Sequence, residues 1–167
     1  MLPLVLNPIH IKAALAGTGE ARDRRAAMLA DAGVEVRLLP ETISDELLKG
    51  LQILFVAGLP EGEARDLAGR ARALGVLVNV EDVLPLCDFH VPAIVRRGEL
   101  LLTASTGGQV PGLARVLRER LADDFRPEWT ARLKELGAAR AKWRSQGLSP
   151  QDVSRQVRDL IARMGWL

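Results

Sequence analysis

The feature that most constrains the fold is an alternation in the first half of the chain. Short apolar runs of strand character take turns with stretches whose apolar residues recur at helical spacing. Ile11 to Ala16 reads as a strand, weakened by Lys12, and Gly17-Thr18-Gly19 follows it as a turn. Ala26, Leu29, Ala30 and Gly33 then repeat with helical period. Val34 to Leu39 reads as a second strand stopped by Pro40, and Ser44 can cap a short helix with Asp45 and Glu46 suited to its dipole. Ile53 to Ala57 is a buried strand. Ala64, Leu67, Ala68 and Ala71 form the cleanest helical stripe, ended by Gly75, and Val76 to Val80 is the next strand. Strand and helix alternating at this spacing predict an α/β fold with a parallel sheet and crossover helices. The glycine turn after the first strand predicts a ligand crevice at the carboxyl ends of the strands.

The pattern changes after Asp82. Val91 to Val95 and Leu100 to Ala104 flank Arg96-Arg97-Gly98-Glu99, which predicts a hairpin with Gly98 in its turn. Thr106-Gly107-Gly108 leads to a helix near Pro111 with Leu113, Leu117 and Leu121 on one face. Pro127 opens another helix, striped by Trp129, Leu133, Leu136 and Trp143. Ser149-Pro150 starts the last, with Val153, Val157, Leu160, Ile161 and Met164 as its apolar face. The shift of composition near Pro92 divides a nucleotide-binding half from a mostly helical half.

Composition narrows the partners. With 48% hydrophobic residues among 167, the chain has material for a real core. A net charge of +2, with three Trp, three Phe and no Tyr, offers no basic, aromatic-rich surface, so nucleic acid is not an expected partner. The single cysteine, Cys87, rules out an internal disulfide framework and fits a reducing, cytoplasmic setting. The opening Met1 to Pro8 is apolar, lacks a preceding Lys or Arg and contains two prolines, so it is not expected to be a signal peptide. No apolar run is long enough for a bilayer, and no membrane association is expected.

Several groups carry candidate chemistry. In Gly17-Thr18-Gly19 the first glycine permits a tight turn and the second lets backbone approach a pyrophosphate at the helix start; an ordinary strand-to-helix turn has the same spelling. Glu41 lies where an acid meets ribose hydroxyls, or is a solvated loop carboxylate. Asn79-Val80-Glu81-Asp82 ends a strand at the crevice side, where one of the two adjacent carboxylates can act as a base. Cys87-Asp88-Phe89-His90 matches no closed zinc site, so no resident metal is expected; Cys87 reads as a small buried hydrophobe and His90 as a pocket or strand residue. Ser105-Thr106-Gly107-Gly108 can present backbone N–H groups to an anion, and Arg96, Arg97, Arg115 and Arg118 can pair with carboxylates.

Asn79-Val80-Glu81-Asp82, the run from Cys87 to Gly98, and Ser105-Thr106-Gly107-Gly108 with Pro111, Leu113, Ala114, Arg115 and Leu117 together resemble the precorrin-2 dehydrogenase / sirohydrochlorin ferrochelatase family. This is the N-terminal module of siroheme synthase and its free-standing relatives. The resemblance implies a Rossmann-like NAD-binding domain over 1–91, a dimerisation segment over 92–125 and a C-terminal helical domain over 126–167. It implies oxidation of precorrin-2 with NAD to sirohydrochlorin, with ferrous-ion insertion to give siroheme as a second step in many members. Asp82 would be the catalytic aspartate. Gly17, Gly19, Glu20 and Ala21 would form the first NAD-contacting segment, with Glu41 and Thr42 the second. Ser105, Thr106, Gly107 and Gly108, with Arg96 and Arg115, would meet the carboxylates of the tetrapyrrole. A homodimer is implied.

Two places depart from the family pattern. Thr18 stands for a middle glycine and Arg22 for a small residue, so Arg22 would either obstruct helix–strand packing or point at the pyrophosphate. After the third strand, Ala57-Gly58-Leu59-Pro60-Glu61 replaces the usual Ala-Thr-Asp. Both lie on the cofactor side. They leave open a metal chelatase without NAD binding and a non-catalytic tetrapyrrole-binding protein as alternatives to the dehydrogenase.

Overall fold

The computed structural model describes residues 2–167, which gather into two compact units, one ending at Val91 and one spanning Pro92–Leu167.

The first unit is built on four parallel strands, β1 (Ala13–Gly17), β2 (Val36–Leu38), β3 (Ile53–Ala57) and β4 (Leu77–Val80), in the order β2-β1-β3-β4. Helices α1 (Gly19–Asp31), α2 (Asp45–Leu48) and α3 (Glu61–Ala73) connect them. Alternate residues of β1 and β3 face opposite sides, and both sides are buried. Ala14, Ala16, Leu54 and Val56 pack with Leu48 and with Ala64, Leu67, Ala68 and Ala71 of α3. Ala13, Leu15, Ile53, Phe55 and Ala57 pack with Leu29 of α1. Burial on both faces explains how the alanine-rich β1 is a strand at all: its small side chains suit helices above and below, and packing overrides propensity. β1 and β2 are shifted or shorter than their apolar runs suggest, because those runs continue into the approaches to the sheet. Ser44 precedes α2 as expected, but its side chain makes no capping bond.

One edge of this sheet is finished in an unusual way. The chain leaving β4 returns through Leu84–Leu86, a single 3-10 turn, and lays Cys87 and Asp88 along the strand. Asp88 N donates to Val78 O at 2.8 Å, and Val78 N donates to Asp88 Oδ2 at 2.8 Å. Val80 N lies 3.4 Å from Cys87 Sγ, which donates back to Val80 O at 3.1 Å. Cys87, expected as a small buried hydrophobe, is thus a half-buried partner for backbone. Arg72 of α3 holds Asp88 through Nε at 2.8 Å and donates to Leu86 O.

In the second unit, β5 (Ala93–Arg97) and β6 (Leu100–Ala104) form an antiparallel hairpin as expected, but its first strand runs two residues later than Val91 to Val95, since Arg96 and Arg97 pair with Leu101 and Leu100 instead of lying in the connection. Only Gly98 of its two turn residues has positive φ, at 60°, the pattern of a type II′ turn. Helices α4 (Pro111–Asp124), α5 (Trp129–Ser145) and α6 (Pro150–Arg163) follow. Arg97 caps the end of α4, donating to Phe125 O at 2.7 Å and Ala122 O at 3.3 Å. These are carbonyls that a helix end leaves without partners. Trp129 is core, against Phe125 and Trp166, with the Arg132 guanidinium over both indoles. Ser149 caps α6 by accepting from Asp152 N.

Candidate dinucleotide cradle and catalytic turn

The sheet order reverses direction between β1 and β3, and the first candidate site lies at the carboxyl ends of those two strands. Gly17 has φ 125°, and a Cβ on it would stand 1.7 Å from Ala57 O, so no other residue fits. Gly58, after β3, has φ 74°, and a Cβ there would stand 2.1 Å from Thr18 O. The two turns therefore cross backbone against backbone. Thr18 Oγ1 adds a bond to Gly58 O at 3.2 Å. The two departures noted in the sequence, Thr18 and the Gly58 loop, touch one another and form one latch.

Gly19, φ 69°, opens α1, and a Cβ on it would meet nothing within 4 Å. Thr18 makes no side-chain cap, so the first N–H groups of α1, including those of Glu20 and Ala21, keep their donors free. This is a cradle for an anion, with the helix dipole behind it. Arg22 does neither of the things expected of it. It turns aside to Asp23, with Nε and NH2 of the guanidinium 3.0 and 2.8 Å from Oδ1, and leaves the cradle clear. Glu41 and Thr42 lie exposed in the loop beyond β2, the strand beside β1. Open backbone donors with a neighbouring exposed acid fit the diphosphate and ribose of a dinucleotide.

Asp82 follows β4. It is the one non-glycine residue with positive φ among the described residues, at 61°. Val83 N bonds Val80 O at 3.3 Å, which makes Val80–Val83 a turn with Asp82 in its third place. Positive φ at that place alone is the type II pattern, which favours glycine or asparagine. An aspartate held there costs about 1 kcal/mol or more. Its side chain is exposed, free to meet a ligand. Of the adjacent pair, Glu81 turns inward and Asp82 outward.

In the second unit, Ser105 and Thr106 turn their hydroxyls onto local backbone, accepting from Gly107 N and Val110 N, each at 3.2 Å. Gly107 and Gly108 are both left-handed, at φ 65° and 78°. The loop stands before α4 and is not the first turn of that helix. Arg96 is exposed and forms no ion pair among the described residues. Arg115 is engaged by Glu119, one turn along α4, at 3.0 Å. Among the described residues no three His, Cys, Asp or Glu side chains converge as a metal site, and no helix is long and apolar enough to cross a membrane. Arg72 escaped the sequence reading, and Asp88 was weighed there only within Cys87-Asp88-Phe89-His90, since a partner for a sheet edge leaves no periodic signal.

The strand order, the glycine-held crossing and the open helix start define a dinucleotide-binding α/β unit. The family described as "Putative NAD(P)-binding" matches residues 4–93. The chain belongs to that family. It is similar to siroheme synthase of Stutzerimonas stutzeri strain A1501, 32% identical over 85% of this chain and 38% of that protein. Siroheme synthase of Pseudomonas aeruginosa strain UCBPP-PA14 is 33% identical over 93% of this chain and 37% of its own length. The chain thus spans under two-fifths of these curated relatives. A solved structure of SirC, precorrin-2 dehydrogenase, superposes with a TM-score of 0.71, covering 96% of this chain and 89% of that one at 18% identity, a likeness of fold. The resemblance to the siroheme-synthase module therefore holds over most of the chain.

Proposed function

We propose that this chain is an NAD-dependent dehydrogenase that oxidises precorrin-2 to sirohydrochlorin, with Asp82 as its proton acceptor. The observation that carries the reading is the backbone of Asp82: an exposed carboxylate kept at a turn position that favours glycine, at the carboxyl end of the sheet. Such local strain is characteristic of functional positions.

The backbone N–H groups of Glu20 and Ala21, with Gly17 and Gly19 giving room, hold the diphosphate. Glu41 and Thr42 bind ribose hydroxyls. NAD bound there would supply the hydride acceptor for oxidation of a saturated carbon of the macrocycle. Asp82 takes the proton released in the same oxidation and, being exposed, passes it to solvent. Arg96 and Arg115, with the loop Ser105–Gly108, bind the substrate's carboxylates; Arg115 does so by exchanging Glu119 for the ligand. Ferrous ion is a second substrate in this reading. Its insertion displaces two pyrrole N–H protons, which the same exposed carboxylate can accept one after the other, releasing each to solvent. The working unit is a homodimer: α4 has no buried residue, and Val110, Leu113, Val116 and Leu117 are 41–59% exposed around its start and along it.

The deciding experiment is anaerobic absorbance of the protein with precorrin-2, with and without NAD, before any metal is added. Sirohydrochlorin forming only with NAD, and not with Asp82→Ala, is the expected result. No product with NAD overturns the dehydrogenase. Ferrous ion added to preformed sirohydrochlorin then separates a chelatase from a binding protein.

A further inference from the structure

One side chain beside Asp82 has no part in the reaction as drawn. Glu81 is 23% exposed at its side chain, and its Oε2 is buried with no hydrogen-bond partner. The other oxygen, Oε1, stands 3.5 Å from an NH2 of Arg25 on the second turn of α1, whose side chain is 12% exposed. An enclosed carboxylate oxygen is costly unless a cation compensates it. Arg25 is the one cation paired with Glu81 among the described residues. Its guanidinium also lies 5.7 Å from the centre of the Phe55 ring, and Phe55 meets Phe89 edge-on. Arg25 is therefore held from below by the sheet and from the side by Glu81.

Glu81 is the second residue of the turn whose third is Asp82. Its backbone is fixed too: Glu81 N donates to Val56 O at 2.9 Å, prolonging the β3–β4 ladder by one bond. Beyond it the ladder ends, and the left-handed residue begins. A peptide in this position has more favourable alternatives, because an L-residue other than glycine is relieved of steric strain on leaving the left-handed region. The last tether before it is the Glu81 side chain.

We propose that the Arg25–Glu81 ion pair is a positioning device for Asp82. It ties α1 to the turn, keeps the Glu81–Asp82 peptide in its orientation, and so points the Asp82 carboxylate outward. Arg25 and Glu81 touch no substrate in this scheme and act through the turn. The inference rests on Asp82 as proton acceptor, and it is tested in two ways that separate the two claims.

The first readout is NMR of the full chain without ligand, following the amide shift and HN–Hα coupling of Asp82 in Arg25→Met, Glu81→Gln and Arg25→Lys. Arg25→Met and Glu81→Gln are expected to move or double the Asp82 signal, and Arg25→Lys to keep it near its original position. The second is steady-state turnover. Loss of the pair should lower kcat about tenfold or more while leaving KM for precorrin-2 and NAD within about twofold, as misorientation of a catalytic group does, with rescue by lysine. Should Arg25→Met fail to fold, Glu81→Gln, which keeps shape and volume, decides alone. An Asp82 signal unchanged in the folded variants overturns the positioning role, even with Asp82→Asn inactive. Full turnover by Asp82→Asn overturns the catalytic reading and the positioning role with it, and an NMR response would then mark the pair as structural only.

Discussion

The hydroxyl of Thr18 reaches the carbonyl of Gly58 at 3.2 Å, joining two turns that are forty positions apart. Around that bond, each turn occupies the space where the other's glycine would carry a Cβ. The glycines are therefore not equivalent. Gly17→Ala should destabilise by about 3 kcal/mol, since the new methyl meets Ala57 O and neither backbone can yield cheaply. Gly19→Ala faces open space and should cost only about 1 kcal/mol from its positive φ, yet still weaken dinucleotide binding by filling the cradle. Urea unfolding beside NAD titration separates the two effects.

Asp82 should show function and stability in opposition. Asp82→Gly relieves the left-handed backbone and is expected to leave stability unchanged or raise it by up to about 1 kcal/mol. Asp82→Ala, which keeps a Cβ and loses the polar side chain, should be the less stable of the two. Both should lose precorrin-2 oxidation. Thermal melts run with the anaerobic assay check the order.

At the covered edge of β4, Asp88→Ala deprives Val78 N and Arg72 of their acceptor. A loss of about 2 kcal/mol is expected from the unpaired groups. Arg72→Met alone should cost less, because Val78 keeps its bond. A double-mutant cycle in urea gives the coupling directly.

Acid should loosen α6. The Ser149 hydroxyl, foremost, and then Arg155 hold the Asp152 carboxyl below the usual aspartate range. A carboxylate lowered in the folded state lends stability above its unfolded pKa of about 3.9 and loses it as pH falls through the lower folded value. α6 should therefore weaken only below about pH 4, and Ser149→Ala should reduce that acid dependence. Helicity by circular dichroism from neutral to acid pH tests the sign.

The dimer proposal predicts that Leu117→Glu, on the exposed face of α4, yields monomers in sedimentation while the fold of the first unit is retained.

The sequence made the parallel sheet legible because each element of the first unit carries its own period. Ala64, Leu67, Ala68 and Ala71 mark α3, and all four are buried. The hairpin was equally plain, since Gly98 announces its own turn. Much of what stayed hidden depends on residues distant in sequence. That Thr18 would find Gly58 and that Glu81 would find Arg25 are matters of three-dimensional meeting, with no spacing to betray them. Arg22 pairs with its own neighbour, Asp23, a rotamer choice that sequence does not fix. The left-handed state of Asp82 was invisible for a related reason: the sequence signal for such a turn is a glycine, and the chain places an aspartate there.

The covered border of β4 has a consequence for association. An open strand border invites another chain to add itself by backbone pairing, and proteins commonly block it with charge or with a folded-back segment. Here Cys87 and Asp88 have taken the bonding positions of Val78 and Val80, so that side is closed to recruitment. The opposite border, β2, is short, three residues long, and shows Leu38 at 53% exposure. Any growth of this sheet by strand exchange would have to begin there, which leaves the border next to Asp82 undisturbed by a neighbour.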